Sequence, residues 1–140
     1  MSTKLELPIQ EFTTPYPVTA REDSSIEELL DLIKNLKVRH IPIMSDGKVT
    51  GIVSERDLKI ISALSTREKF LVRAADLMTP DPIIFRGSTS IEDVILKMSE
   101  KKIGSVLVSD EQGNLQGIFT VTDALDILVE ILRGKNDKGT

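Results

Sequence analysis

The sequence predicts an α/β (α+β) fold made of tandem β-α-β-β-α repeats with pseudo-two-fold symmetry, its two small sheets packed with helices. Three observations predict it. First, the 140-residue chain repeats itself with a period of 65 to 66 residues. "TPYPV" from Thr14 returns as "TPDPI" from Thr79, and "SSIEELLDLIKNLKV" from Ser24 returns as "TSIEDVILKMSEKKI" from Thr89. Second, each copy carries apolar residues at helical spacing. Third, each carries two apolar runs around a glycine-bearing turn, followed by a glycine, two apolar residues, a hydroxyl residue and an aspartate: "GIVSERD" and "GIFTVTD". Two copies are too few for a solenoid, so a pseudo-symmetric pair is the natural reading.

Each repeat runs through the same elements. A short extended piece, "VTA" or "IIF", follows a Thr-Pro-x-Pro turn whose prolines disfavour helix immediately before it. A helix follows, with Ile26, Leu29, Leu30, Ile33 and Leu36 on one face, and Ile91, Val94, Ile95 and Met98 on its counterpart. Serine or threonine just ahead, with Glu27, Glu28 and Glu92 in the first turn, supplies capping and dipole complementarity. Next come the strand pairs "HIPIM" and "VTGIV", then "SVLVS" and "LQGIF". The closing helices are "RDLKIISAL" and "TDALDILVEILR". The second has an apolar stripe wider than a half-buried helix needs, which suits packing under the sheets, a homodimer interface, or both. The repeats span residues 8–65 and 73–133, leaving 1–7 and 134–140 as expected flexible ends.

Composition excludes several functions. A net charge of −4 argues against general nucleic-acid binding, which needs clustered Lys and Arg. With no cysteine and one histidine, disulfides, thiolate metal sites and multi-histidine zinc sites are excluded, and a reducing cytoplasm fits. No apolar run approaches the roughly 18 to 20 residues that span a bilayer, so no membrane association is expected. No phosphate-binding glycine loop and no nucleophile with a base nearby in sequence is present, so the chain is read as a non-enzyme without metal or cofactor. Aromatics are limited to four Phe and one Tyr (Tyr16), so the core is aliphatic.

The repeated polar segment permits two readings. Ser54 and Thr120 close an apolar strand, and Asp57 and Asp123 fall in the first turn of the helix that follows. That is an N-capping pattern. A carboxylate held there is also placed to accept two vicinal hydroxyls from a ribose, and the two roles are compatible. "KVRHIPI" puts Arg39 and His40 before a strand, where the second repeat has Gly104 and Ser105. These are either a solvated basic loop or a phosphate contact.

In its full ordered pattern, in duplicate over roughly residues 8 to 133, the chain resembles the cystathionine-β-synthase-type (CBS) domain. A chain of two such domains is similar to the stand-alone pairs called Bateman modules. The resemblance implies a regulatory, energy-sensing unit that binds AMP, ADP or ATP in clefts between the repeats and transmits a conformational change to a partner protein. It also implies a homodimer, a flat disc of four repeats. S-adenosylmethionine or another adenosyl compound is an alternative ligand, and a dimerisation scaffold with non-functional clefts is an alternative role. By resemblance, the Ser/Thr-x-x-Asp of one repeat is completed by the opening strand and basic loop of the other. Cleft one then joins Thr120, Thr122 and Asp123 to Thr14, Val18, Thr19, Arg39, His40 and Ile41. Cleft two joins Ser54, Arg56 and Asp57 to Thr79, Ile83, Ile84, Gly104 and Ser105. Only this crossing gives each cleft a strong positive charge, and the apolar opening strands would hold the adenine.

Overall fold

The computed structural model describes residues 6–15 and 17–138, with side chains as far as residue 134. Residues 1–5, Tyr16 and residues 139–140 lie outside it, and with them much of the ends expected to be flexible. The chain divides into two units, one of residues 1–15 and 84–140 and the other of residues 16–83.

The second unit is built on α1 (Ile26–Leu36), β3 (His40–Ser45), β4 (Lys48–Ser54) and α2 (Glu55–Ile61), preceded by the short β2 (Ala20–Arg21). Ser25 caps α1 by accepting a bond from the Glu28 amide at 3.1 Å, and Lys37 ends the helix in the left-handed region. The β3–β4 hairpin turns on Asp46 and Gly47, both at positive φ (51° and 77°), as a tight two-residue turn requires. Ile26 and Leu29 of α1 pack with Ile41, Ile43 and Val53 of the hairpin, Leu58 of α2 and Ala74 to form its core. Two further helices absent from the sequence prediction, α3 (Thr66–Leu71) and α4 (Ala74–Leu77), follow in this unit.

The first unit repeats the plan with β6 (Ile84–Arg86), α5 (Ile91–Lys101), β7 (Ser105–Ser109), β8 (Leu115–Thr120) and the long α6 (Val121–Lys138). Ser90 caps α5 through the Asp93 amide, and Lys102 ends it as Lys37 ends α1. Ile9, Ile91, Val94, Val106, Leu107, Val108 and Phe119 are fully or almost fully buried. In the apolar stripe of α6, Ile127 is buried, while Leu125, Leu128, Val129 and Leu132 are exposed. Packing beneath the sheets therefore accounts for only part of that stripe.

The sheets hold an exchange. Their strand orders are β1-β8-β7-β6 and β2-β3-β4-β5, where β1 is Thr14–Pro15 and β5 is Thr79–Pro80. The lead of the first repeat thus completes the sheet of the second, and the reverse holds for the second lead. Backbone bonds support both exchanges. Ile9 donates to the Thr89 carbonyl and Ile91 to that of Leu7, while Ala74 donates to Ser24 and Ala75 to Glu22, all at 2.8–2.9 Å. The predicted opening strands lie further along the chain: β2 has two residues and starts after Val18 and Thr19, and β6 keeps three but starts after Ile83.

This exchange explains the glycine that opens each polar segment. Pro15 pairs with Gly117, and a Cβ there would lie 2.8 Å from the Thr14 carbonyl oxygen. Pro80 pairs with Gly51, where a Cβ would meet the Met78 side chain and stand 3.0 Å from the Thr79 carbonyl. Backbone atoms cannot swing aside, so Gly117→Ala is expected to destabilise the protein by about 1–3 kcal/mol. Gly104→Ala, with nothing within 4 Å of the added carbon, should stay within about 0.5 kcal/mol of the parent. Urea denaturation of both variants checks the contrast.

Candidate functional site

The polar segments are capping boxes in both units. Ser54 Oγ accepts from the Asp57 amide at 3.2 Å, and Asp57 Oδ2 accepts from the Ser54 amide at 2.9 Å. In the first unit Asp123 Oδ2 accepts from the Thr120 amide at 2.8 Å and from the Thr120 hydroxyl at 3.0 Å. The capping reading is therefore realised twice. Every one of these carboxylate bonds ends on Oδ2, which leaves Oδ1 of each half-buried aspartate as an acceptor for an outside donor.

The strand ladders decide what lies beside each box. His40 pairs with Ser54 at the end of the β3–β4 ladder, and the Glu55 amide donates to the Arg39 carbonyl at 2.8 Å. In the same way Ser105 pairs with Thr120, and the Val121 amide donates to the Gly104 carbonyl at 3.0 Å. The start of one antiparallel strand and the end of its partner meet at one end of the hairpin. Arg39 and His40, assigned from the sequence to cleft one, therefore stand next to Ser54, Arg56 and Asp57, assigned to cleft two. Gly104 and Ser105 likewise stand next to Thr120, Thr122 and Asp123. The Thr-Pro leads are what the structure exchanges: Thr14 lies on the strand beside Thr120, and Thr79 on the strand beside Ser54. Of the remaining candidates, Ile41 is fully buried in the core, Val18 and Ile83 are half-buried, and Thr19 and Ile84 are exposed.

In the second unit these residues line a shallow cavity of about 250 Å³, bounded by Arg39, His40, Ser54, Glu55, Arg56 and Lys59. Glu55 and Lys59 escaped the sequence analysis, although their spacing of four on one helix is a recognisable ion-pair signal. Glu55 reaches Arg39 at 3.9 Å and Lys59 at 3.8 Å. The two cations are about three-quarters exposed, so these pairs contribute little stability. The cavity thus presents several cations that are only loosely engaged. The equivalent surface of the first unit carries Val121, Thr122 and Leu125, all exposed and none charged. Among the described residues, no group of three His, Cys, Asp or Glu is arranged to hold a metal ion. None of the described helices is long and apolar enough to cross a membrane.

His40 is held below its ordinary pKa of 6.5, chiefly because burial disfavours the imidazolium, with the Arg39 charge acting in the same direction. Asp57 and Glu55 oppose the shift. Because the folded state binds this proton less readily than the unfolded chain, the sign is fixed: stability falls as pH drops below 6.5 and through the lowered value. An NMR titration of the ring should give a pKa below 6.5, and Asp57→Asn, which removes a raising charge, should lower it further.

The profile of the CBS domain matches residues 9–63 and 74–130, most of the chain. Among curated relatives, the magnesium transporter MgtE of Thermus thermophilus is 31% identical over 121 residues, 82% of this chain and 25% of its own length. CBSX2 of Arabidopsis thaliana is 26% identical over 140 residues, covering 81% of this chain and 59% of its own length. The chain thus spans a quarter to three-fifths of these relatives. A crystal structure of CBSX2 in complex with AMP superposes with a TM-score of 0.73 at 28% identity, covering 89% of this chain and 98% of that one. The CBS domain pair of MJ0100, solved with 5′-methylthioadenosine and S-adenosyl-L-methionine, gives 0.76 at 25% identity, with 86% and 98% covered. Both repeats match one family in sequence and in fold, and the chain belongs to the CBS-domain family.

Proposed function

We propose that this chain is a regulatory module that binds adenosine-containing ligands, with AMP the natural first probe, and alters the behaviour of a partner protein accordingly. The observation that carries the reading is the duplicated capping box with a carboxylate oxygen to spare. Oδ1 of Asp57 or Asp123 would accept the ribose hydroxyls, while Oδ2 keeps the helix capped. Arg39, His40, Arg56 and Lys59 beside Asp57 form a surface for a phosphate, which charge-assisted bonds would recognise. The ligands named for the structures of CBSX2 and MJ0100, AMP and two adenosyl sulfur compounds, support the same class. A ligand with unequal affinity for two states of the module shifts their populations, and that is how binding would reach a partner. The module is read as non-catalytic, with the hydroxyl–carboxylate pairs of the boxes serving as helix caps.

Calorimetry tests this reading. AMP should bind, and Arg39→Ala should weaken AMP about tenfold while leaving adenosine nearly unchanged, as loss of one charge-assisted bond predicts. Asp57→Asn keeps an acceptor for the cap and should weaken AMP and adenosine alike. No heat and no thermal stabilisation with AMP, ADP, ATP or S-adenosylmethionine would leave the scaffold reading in possession.

The exposed apolar residues of α6 (Leu125, Leu128, Val129 and Leu132) support a second element of the proposal, a homodimer built through this helix. Light scattering on the eluting protein should give twice the 15.5 kDa chain mass, and Leu128→Glu should return it to that mass.

A further inference from the structure

We propose that Glu55 is a resident anion of the basic cavity and determines its selectivity among phosphorylated ligands. The inference rests on the adenosine-ligand reading above but concerns a residue outside the ribose and phosphate contacts. Glu55 stands between two of the cavity's cations, 3.9 Å from Arg39 and 3.8 Å from Lys59. Both cations are largely exposed and Glu55 is 39% exposed, so the pairs are too weak to matter for folding and break readily. Their consequence lies in charge. Arg39, Arg56 and Lys59 against Glu55 and Asp57 leave a net charge of +1 with His40 neutral; without Glu55 it would be +2. A phosphate entering the cavity must displace the Glu55 carboxylate or share cations with it, and the opposition grows with each negative charge the ligand brings.

Comparison of the two units supports the assignment. Where the second unit has Arg39, Glu55, Arg56 and Lys59, the first has Gly104, Val121, Thr122 and Leu125. The anion is present only where the cations are, while the aspartate of the capping box is kept in both. A glutamate serving helix α2 alone would have no reason to follow the charges of the neighbouring loop. Glu55 lines the cavity beside His40, and its charge acts to raise the affinity of the ring for its proton. By restraining the pull of the cations, Glu55 keeps the cavity from favouring long phosphate chains over a monophosphate.

The test compares Glu55→Gln with the parent chain by calorimetry at low and moderate salt. Affinity should rise about threefold for AMP and about tenfold or more for ATP, with adenosine unchanged and the gain shrinking as salt increases. An equal change for all three ligands, no change, or a loss of affinity would overturn the proposal. Inorganic pyrophosphate, followed by thermal shift, separates this result from the fate of the adenosine reading. If no adenosine compound binds, pyrophosphate should still stabilise Glu55→Gln more than the parent, and equal stabilisation would overturn the role of Glu55 alone. The His40 ring supplies a readout free of ligand: its pKa should fall in Glu55→Gln, and an unchanged value would place the carboxylate away from the cavity.

Discussion

Two glycines without side chains let each sheet accept a strand from the other repeat, and much of the architecture depends on that close approach. A Cβ at Gly117 would stand 2.8 Å from the Thr14 carbonyl oxygen, and one at Gly51 would press on the Met78 side chain and stand 3.0 Å from the Thr79 carbonyl. Each borrowed lead is only two residues of strand, yet it is anchored further by the turn or helix before it, at Ile9 and at Ala74, both fully buried. The chain therefore assembles its units from non-adjacent pieces, 1–15 with 84–140 in one case. The same glycine is followed, three residues on, by the hydroxyl residue of the capping box. Its strand must pass the borrowed lead before reaching the site, so the placement of the box depends on the exchange.

The capping boxes show how one residue type can serve structure and, on the proposed reading, ligand chemistry together. A helix start leaves amides without partners, and Ser54 or Thr120 with its aspartate satisfies them. A carboxylate has more acceptor capacity than the cap consumes, and its orientation is already fixed by the cap bonds. On the proposed reading, the atom that would meet the ligand is thus pre-organised by a device that any stable helix can use. What distinguishes the two units is four matched positions around the box: Arg39, Glu55, Arg56 and Lys59 in one, Gly104, Val121, Thr122 and Leu125 in the other.

Helices α1 and α5, both hairpins and the turn at Asp46 and Gly47 were legible in the sequence, because side-chain period and turn chemistry are local properties. The exchange was only partly legible. A strand of two residues carries no pattern, and its partner is chosen by tertiary fit; the glycines were visible, but not what they face. Helix α3 announced itself weakly through Ser65 and Glu68, a capping box with few apolar residues behind it. In the site, the family resemblance, with charge balance in support, assigned Arg39 and His40 to one cleft and Arg56 and Asp57 to the other. The ladder sets them side by side, since an antiparallel hairpin returns the chain to where it began. Glu55 was overlooked because a glutamate in a first helical turn has an ordinary explanation in the helix dipole.

The central claim is that the phosphate end of an adenosine ligand is recognised by the charged cavity of the second unit. Mapping backbone amide and His40 ring resonances during an AMP titration tests it most directly. The account predicts saturable shifts at Arg39, His40 and residues 54–59, with the His40 pKa rising as phosphate takes its place beside the ring. Shifts confined to Gly104, Ser105 and residues 120–123, or a His40 ring indifferent to saturating AMP, would contradict it.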